Sequence, residues 1–170
     1  IVNSVEKFGL TWPGKDSARS KAFEPTGKNL FPIKNESVDW DTTQNLIIEG
    51  DNLDVLKLLQ KSYYGKVKMI YIDPPYNTGT QFIYSDIFKS ESASAIVTSV
   101  NSSSRMGDRH SSWLSMIYPR LILARNLLTP DGVIFVSIDD REIDNLLLIC
   151  KEIFEEDCHI ATLIWKSKSG

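Results

Sequence analysis

The chain has 170 residues, 42% hydrophobic and 24% charged, with a net charge of −3, which is ordinary material for about one domain with a buried core. No run of eighteen apolar residues and no charged-then-apolar leader occur, so neither a membrane span nor a secretory address is indicated and the chain reads as cytoplasmic. Cys150 and Cys158 lack paired spacing and the two histidines are far apart, which argues against a disulfide frame and against a metal site; the negative balance argues against a chain that holds a polyanion unaided.

Residues 1 to 43, rich in Pro, Gly and Lys, read as an irregular arm. Asn45 to Glu49 predicts a strand, and Asn52 to Ser62 carries Leu53, Leu56 and Leu58/Leu59 at helical spacing. Val67 to Ile72 predicts a buried strand that runs into Asp73 and a double proline. Asn77-Thr78-Gly79 is a turn signal, and Phe82-Ile83-Tyr84 is a short apolar segment suited to line a pocket. Residues 89 to 105, without a helical stripe, read as a mobile surface loop, either a plain insertion or a lid that orders on a ligand.

From Ser112 to Leu128 the apolar positions Trp113, Met116, Ile117, Leu121, Ala124 and Leu128 predict a helix, which Pro119 should kink or restart. Thr129-Pro130-Asp131-Gly132 predicts a turn, Val133 to Ile138 a third core strand ending at Asp139, Glu142 to Phe154 a helix, and Ile160 to Trp165 a last strand begun near Cys158. Alternating strands and helices make this an α/β chain of βαβ units in a doubly wound sheet. Asp51 and Asp139 each precede a helix and suit N-terminal caps. Basic clusters at Lys7, Lys15, Arg19, Lys21 and Lys28, at Arg105, Arg109 and His110, and at Lys166 and Lys168 each suit a solvated face as well as a phosphate track; the Arg105 to His110 group is the best candidate for contact with a polyanion.

The residues that carry chemistry are Asp73, Pro74, Pro75 and Tyr76. They stand at the carboxyl end of an apolar strand, the edge at which open α/β sheets bind ligands. Two prolines fix their own φ, bias the residues before them towards extended backbone and donate no hydrogen bonds, so the loop is stiff and its carbonyls are short of partners. Asp73 and the Pro74 carbonyl could accept both hydrogens of an exocyclic amino group, favouring a tetrahedral, nucleophilic nitrogen, while Tyr76 stacks on the base. By itself the tetrapeptide suits a rigid turn after a core strand equally well.

Around it the chain resembles a known family. Leu10-Thr11-Trp12-Pro13-Gly14-Lys15, Asn45-Leu46-Ile47-Ile48-Glu49-Gly50-Asp51-Asn52-Leu53, Ile70 through Gly79, and Tyr118-Pro119-Arg120-Leu121 through Asp139-Asp140 are similar, in order, to the amino-group DNA methyltransferases and most closely to the modification subunits of type III restriction-modification systems. The resemblance implies a Rossmann-like, S-adenosylmethionine-dependent fold of the circularly permuted (beta) class, of which residues 44–170 would be the catalytic half. It implies Asp73, Pro74, Pro75 and Tyr76 as the catalytic loop, Asp51, Asn52 and Leu53 with Asp73 near the cofactor, and Asn77 near the base, with no metal.

The same resemblance implies methylation of adenine N6 in double-stranded DNA by base flipping. Ser or Asn more often stands at the place of Asp73 in enzymes acting on cytosine N4 or a protein glutamine amide; a non-catalytic DNA-binding or scaffold subunit is the remaining alternative. A homodimer and a helicase-nuclease restriction subunit are the implied partners. The target-recognition region and the Gly-rich cofactor loop of that branch do not occur between residues 1 and 170, and the chain starts at Ile1. The expectation is therefore an amino-terminal portion of a longer protein, inactive alone.

Overall fold

The structure is a computed structural model that describes residues 9–77 and 106–166. Its centre is a long helix, α3 (Met106–Leu127). Against it pack α1 (Lys15–Phe23), α2 (Asn52–Tyr63) and α4 (Ile143–Phe154). A parallel pair, β1 (Val67–Ile72) and β2 (Leu128–Val136), completes the described elements with two short 3₁₀ turns, Lys34–Glu36 and Glu156–Cys158.

The helical stripe read from the sequence is the core, except that its last predicted member, Leu128, begins β2 instead of ending the helix. Trp113, Leu114, Met116, Ile117, Tyr118 and Leu121 of α3 meet Leu146, Ile149 and Ile153 of α4, and Ile72, Ile134 and Val136 of the sheet pack against them. Burying each large apolar side chain contributes about 1.5–3 kcal/mol. α3 begins earlier than its apolar stripe, because its first turns are polar: the Ser111 and Ser112 hydroxyls donate to the carbonyls of Gly107 and Asp108, at 2.8 and 2.9 Å. Periodicity reports packing and so misses a solvated helix start. Pro119 is fully buried inside the helix, where its missing N–H leaves the Ser115 carbonyl without a helical donor.

Residues 1 to 43 are not irregular throughout. α1 starts from Gly14 at φ 98°, a left-handed conformation that favours glycine, and buries the small residues Ala18 and Ala22, one turn apart, against α3. Trp12 donates to the Ser115 hydroxyl at 2.9 Å and meets the Tyr118 ring edge-on at 5.3 Å. Lys15 bridges the Leu10 carbonyl and Glu152 at 2.6 and 2.7 Å. The start of the described chain is thus bound to α3 and α4.

β1 and β2 pair in register from Met69↔Val133 to Ile72↔Val136. The Thr129-Pro130-Asp131-Gly132 turn lies inside β2 as a bulge, since Val67 pairs with Leu128 and Met69 already with Val133. Lys68 holds the bulge through an ion pair with Asp131. β1 is only half buried: Met69 and Tyr71 are exposed, while Val67, Ile70 and Ile72 are partly buried. The doubly wound sheet of the sequence reading is, among the described residues, this single parallel pair.

Two predicted strands do not form. Residues 45–49 are extended coil with Ile47 fully exposed, and 160–165 are coil with Ile160, Leu163, Ile164 and Trp165 all exposed. Their apolar, β-branched composition suits a strand only where a neighbouring strand supplies ladder partners, and no described segment does. Cys158 sits in a 3₁₀ turn rather than a strand. Both cysteines are free; burial pushes the Cys150 thiol up to about 12, while Cys158 is exposed. Among the described residues no helix is long and apolar enough to cross a membrane, and no group of three or more His, Cys, Asp or Glu side chains could hold a metal ion.

The bulge gives a test of the register. A Cβ on Gly132 would stand 3.0 Å from the backbone oxygens of Thr129 and Val67, atoms that cannot move without breaking the pairing. Gly132→Ala is expected to destabilise by about 1–3 kcal/mol, read as a lowered Tm in thermal unfolding. An unchanged Tm would contradict the bulge.

Candidate functional site

β1 delivers the Asp73-Pro74-Pro75-Tyr76 loop to the carboxyl end of the parallel pair, the side predicted for it. Sheet pairing runs one residue beyond β2, because the Ser137 N–H donates to the Ile72 carbonyl at 3.0 Å. Asp73 is therefore held from behind while its own side chain stays exposed. The Tyr76 hydroxyl donates to Asp73 Oδ1 at 2.6 Å. This hydrogen bond and burial push the phenol up to about 12, because ionisation would set a second negative charge against the carboxylate. Beneath them the Tyr71 and Ser137 hydroxyls share a hydrogen bond of 2.7 Å.

The loop is fastened twice more. Trp113, fully buried in the core face of α3, donates its indole N–H to the Pro75 carbonyl at 2.6 Å. That contact ties the Pro75 carbonyl to the core. Asn77 then takes φ 59°, a left-handed conformation Asn tolerates better than most residues. Its side-chain amide, 8% exposed, donates to Glu142 Oε1 at 2.6 Å.

Glu142 is the residue the sequence reading missed. It is completely buried at the N-terminus of α4. Its carboxylate is shared by Asn77, by His110 Nδ1 at 2.7 Å and by Asn145 Nδ2 at 2.8 Å. An ionised carboxylate only accepts, so the hydrogen is assigned to His110 Nδ1, and Asn145 Nδ2, 3.4 Å from the same nitrogen, then donates to Glu142 alone. One signal was available in the sequence: Glu142, Leu146, Ile149 and Ile153 follow helical spacing and share the buried face of α4. An acid on such a stripe must find donors.

The other predicted residues divide. His110 joins the loop through Glu142, and Arg109 lies beside it on α3, half buried. Arg105 lies outside the described residues, as do residues 78–104 with the predicted pocket segment and serine-rich loop. Asp51, Asn52 and Leu53 form a separate group at the start of α2. Asp51 Oδ1 caps that helix by accepting from the Leu53 and Asp54 N–H groups at 3.0 and 3.1 Å, and Asn52 accepts from Arg120 at 2.7 Å. The second Asp51 oxygen, 3.9 Å from Arg120, belongs to a half-exposed side chain and remains available as an acceptor.

Asp139 does not cap the following helix. Its carboxylate accepts from the Arg141 N–H at 2.8 Å and pairs with the Arg141 guanidinium at 2.7 Å, while Glu142 holds the N-cap position without capping through its side chain. The turn from Asp139 to Glu142 displaces the helix start and moves the acid off its axis.

Chemically, the site offers a surface carboxylate, a rigid carbonyl-bearing turn and a phenol ring beside them, a set able to accept the two hydrogens of a planar amine. The coupling of Asp73 to Tyr76 is directly measurable. In an ultraviolet titration against Tyr76→Phe, the Tyr76 phenol should ionise near 12, and Asp73→Ala, which removes the acceptor and with it the leading cause, should bring it down. A phenol raised in the folded protein contributes stability that is complete below its unfolded value near 10 and is lost as pH climbs through 12. An identical Tyr76 titration in the wild type and in the Asp73 variant would contradict the hydrogen bond.

Residues 67–170 match the family model described as DNA methylase, the N6/N4 methyltransferase class. The chain is 43% identical over 177 aligned residues to the type III restriction-modification enzyme EcoP15I Mod subunit of Escherichia coli, a match covering 96% of this chain and 28% of the relative. It is 44% identical to the EcoPI Mod subunit of Escherichia phage P1, over 94% of this chain and 27% of that protein. With the type II methyltransferase M.KpnI of Klebsiella pneumoniae it shares 37% identity over 84% of this chain and 30% of the relative. The chain thus spans little more than a quarter of the length of the first two relatives. With its strand-end loop inside the matched region, the chain belongs to the N6/N4 DNA methylase family.

Proposed function

We propose that this chain is the catalytic part of a DNA methyltransferase that transfers a methyl group to the N6 of adenine in double-stranded DNA. The carrying observation is the Asp73 to Tyr76 loop, complete in its residues and fastened by Trp113 and Asn77 so that the Asp73 carboxylate stays at the surface. A flipped adenine would stack on Tyr76, a contact worth about 1–3 kcal/mol, which offsets part of the few kcal/mol of unstacking. Asp73 and the Pro74 carbonyl accept the two amino hydrogens, and the nitrogen lone pair is freed as the N–C bond forms in place of the donor's S–C bond; the surplus N6 proton would leave through the exposed Asp73 carboxylate to solvent. Tyr76 must release Asp73 Oδ1 for this, since its hydroxyl already holds that oxygen.

S-adenosylmethionine, when bound, supplies a methyl group already activated on a sulfonium. Of this chain's residues, Asp51, Asn52 and Leu53 would hold part of it, and the half-exposed second oxygen of Asp51 fits a hydroxyl or amine donor. The Gly-rich loop of the family does not occur in this sequence, so the rest of the cofactor site belongs to other residues. The substrate-side role of the chain is to bind, orient and hydrogen-bond the amine, and positioning of that kind accounts for much of the rate.

Within a restriction-modification system the protein would act as a modification subunit, a reading that the relatives' names, Mod subunits of type III restriction-modification enzymes, support; a homodimer and a helicase-nuclease restriction subunit are the partners that go with it. Asp73, rather than Ser or Asn, supports adenine over cytosine.

With the full-length protein, Asp73→Ala is expected to abolish tritiated methyl transfer from S-adenosylmethionine to DNA while leaving the circular dichroism unchanged. Tyr76→Ala should cost less than Tyr76→Asp, because a charge cannot sit against a base. Mass spectrometry of the nucleosides should show N6-methyladenine. N4-methylcytosine would overturn the adenine assignment, and retained activity in Asp73→Ala would overturn the role of Asp73. Residues 1–170 alone should show no transfer.

A further inference from the structure

We infer that Glu142 is a positioning residue, a buried carboxylate that sets the exit of the catalytic loop and thereby the angle at which Tyr76 and Asp73 meet the base. The inference rests on the function proposed above. Three segments far apart in sequence converge on this one side chain: Asn77 from the loop exit, His110 from the first turns of α3 and Asn145 from α4. None of the three bonds exceeds 2.8 Å, and the carboxylate is wholly enclosed.

Burying a carboxylate is costly unless it is fully hydrogen-bonded. Three donors meet that requirement here, and withdrawing any one leaves a buried charge short of a partner. The arrangement is therefore stable only with Asn77 in place. Asn77 directly follows Tyr76, and its left-handed backbone fixes the direction in which the chain leaves the ring. Pro75 is held by Trp113 on the other side. Tyr76 is consequently the residue of the loop between two fixed points, which sets the position and direction from which its side chain leaves the backbone.

Glu142 touches neither the base nor the cofactor in this account, so removing it should act on the rate and not on binding. Gln retains one acceptor oxygen for Asn77 and His110. Its amide nitrogen would face Asn145, whose own amide can turn over to present an oxygen. Gln is thus a replacement that preserves position without charge.

The experiment uses the full-length protein, unmethylated genomic DNA and tritiated S-adenosylmethionine, with wild type beside Glu142→Ala, Glu142→Gln and Asn77→Ala. Glu142→Ala and Asn77→Ala are expected to lower kcat by about 10- to 100-fold while KM for S-adenosylmethionine and for DNA stays within about twofold, the pattern of misplaced groups with binding preserved. Glu142→Gln should recover most of the loss. Where Glu142→Ala does not fold, Asn77→Ala, which loosens the loop exit, carries the same expectation. Unchanged kcat in Asn77→Ala overturns the inference, as does a loss confined to KM. Equal damage from Gln and Ala would show that the charge, not the position, is what matters. A wild-type protein that transfers no methyl group to DNA defeats the proposed function itself, and this inference with it.

Discussion

One hydrogen bond joins the core of this protein to its chemistry. Trp113 is wholly buried among Leu114, Ile117 and Leu121 of α3 and the apolar face of α4, and its indole N–H reaches out of that cluster to the Pro75 carbonyl. The bond is worth only about 0.5–1.5 kcal/mol net. Its leverage comes from the ring, which cannot shift without opening a cavity in the core, at a cost of several kcal/mol. A loop with few backbone donors of its own thus acquires the rigidity of the densest part of the fold.

The parallel pair and Glu142 supply the other two fixed points. Ser137 holds the carbonyl of Ile72 before the loop and Glu142 holds the side chain of Asn77 after it. Between them Asp73 remains at the surface, with one oxygen accepting from the Tyr76 hydroxyl. The short contact matters for function because both partners are the ones a flipped base would engage. Exchange of one hydrogen-bond donor for another leaves the carboxylate hydrogen-bonded throughout.

What the sequence disclosed, and what it did not, follows the range of the interactions involved. β1, the loop and α4 were legible because each depends on neighbours in sequence: an apolar run, two prolines and a helical stripe. The fastenings were not, because Trp113 and Pro75 are 38 residues apart and Asn77 and Glu142 are 65 apart. Trp113 was visible as a core residue, but its indole donor has no sequence pattern. The segments at 45–49 and 160–165 failed as strands for a related reason. Their composition is right, but a strand is completed by its neighbours, and this chain covers little more than a quarter of the length of its first relatives. The arm before residue 43 hid α1 because its buried face is made of two alanines, which carry little hydropathy signal.

Asp51 and Asn52, tied to α2 and Arg120, stand as a second group. The account makes the two groups parts of one site, with the amine held by the loop and the methyl donor by α2 and residues beyond this chain. The most direct measurement is a crystal structure of the full-length protein with DNA and S-adenosylhomocysteine. The account predicts an extrahelical adenine stacked on Tyr76, its N6 within hydrogen-bond reach of Asp73 and the Pro74 carbonyl, and Asn77 still seated on Glu142. A target base that remains in the helix, or whose amino group donates to residues other than Asp73 and Pro74, would contradict it.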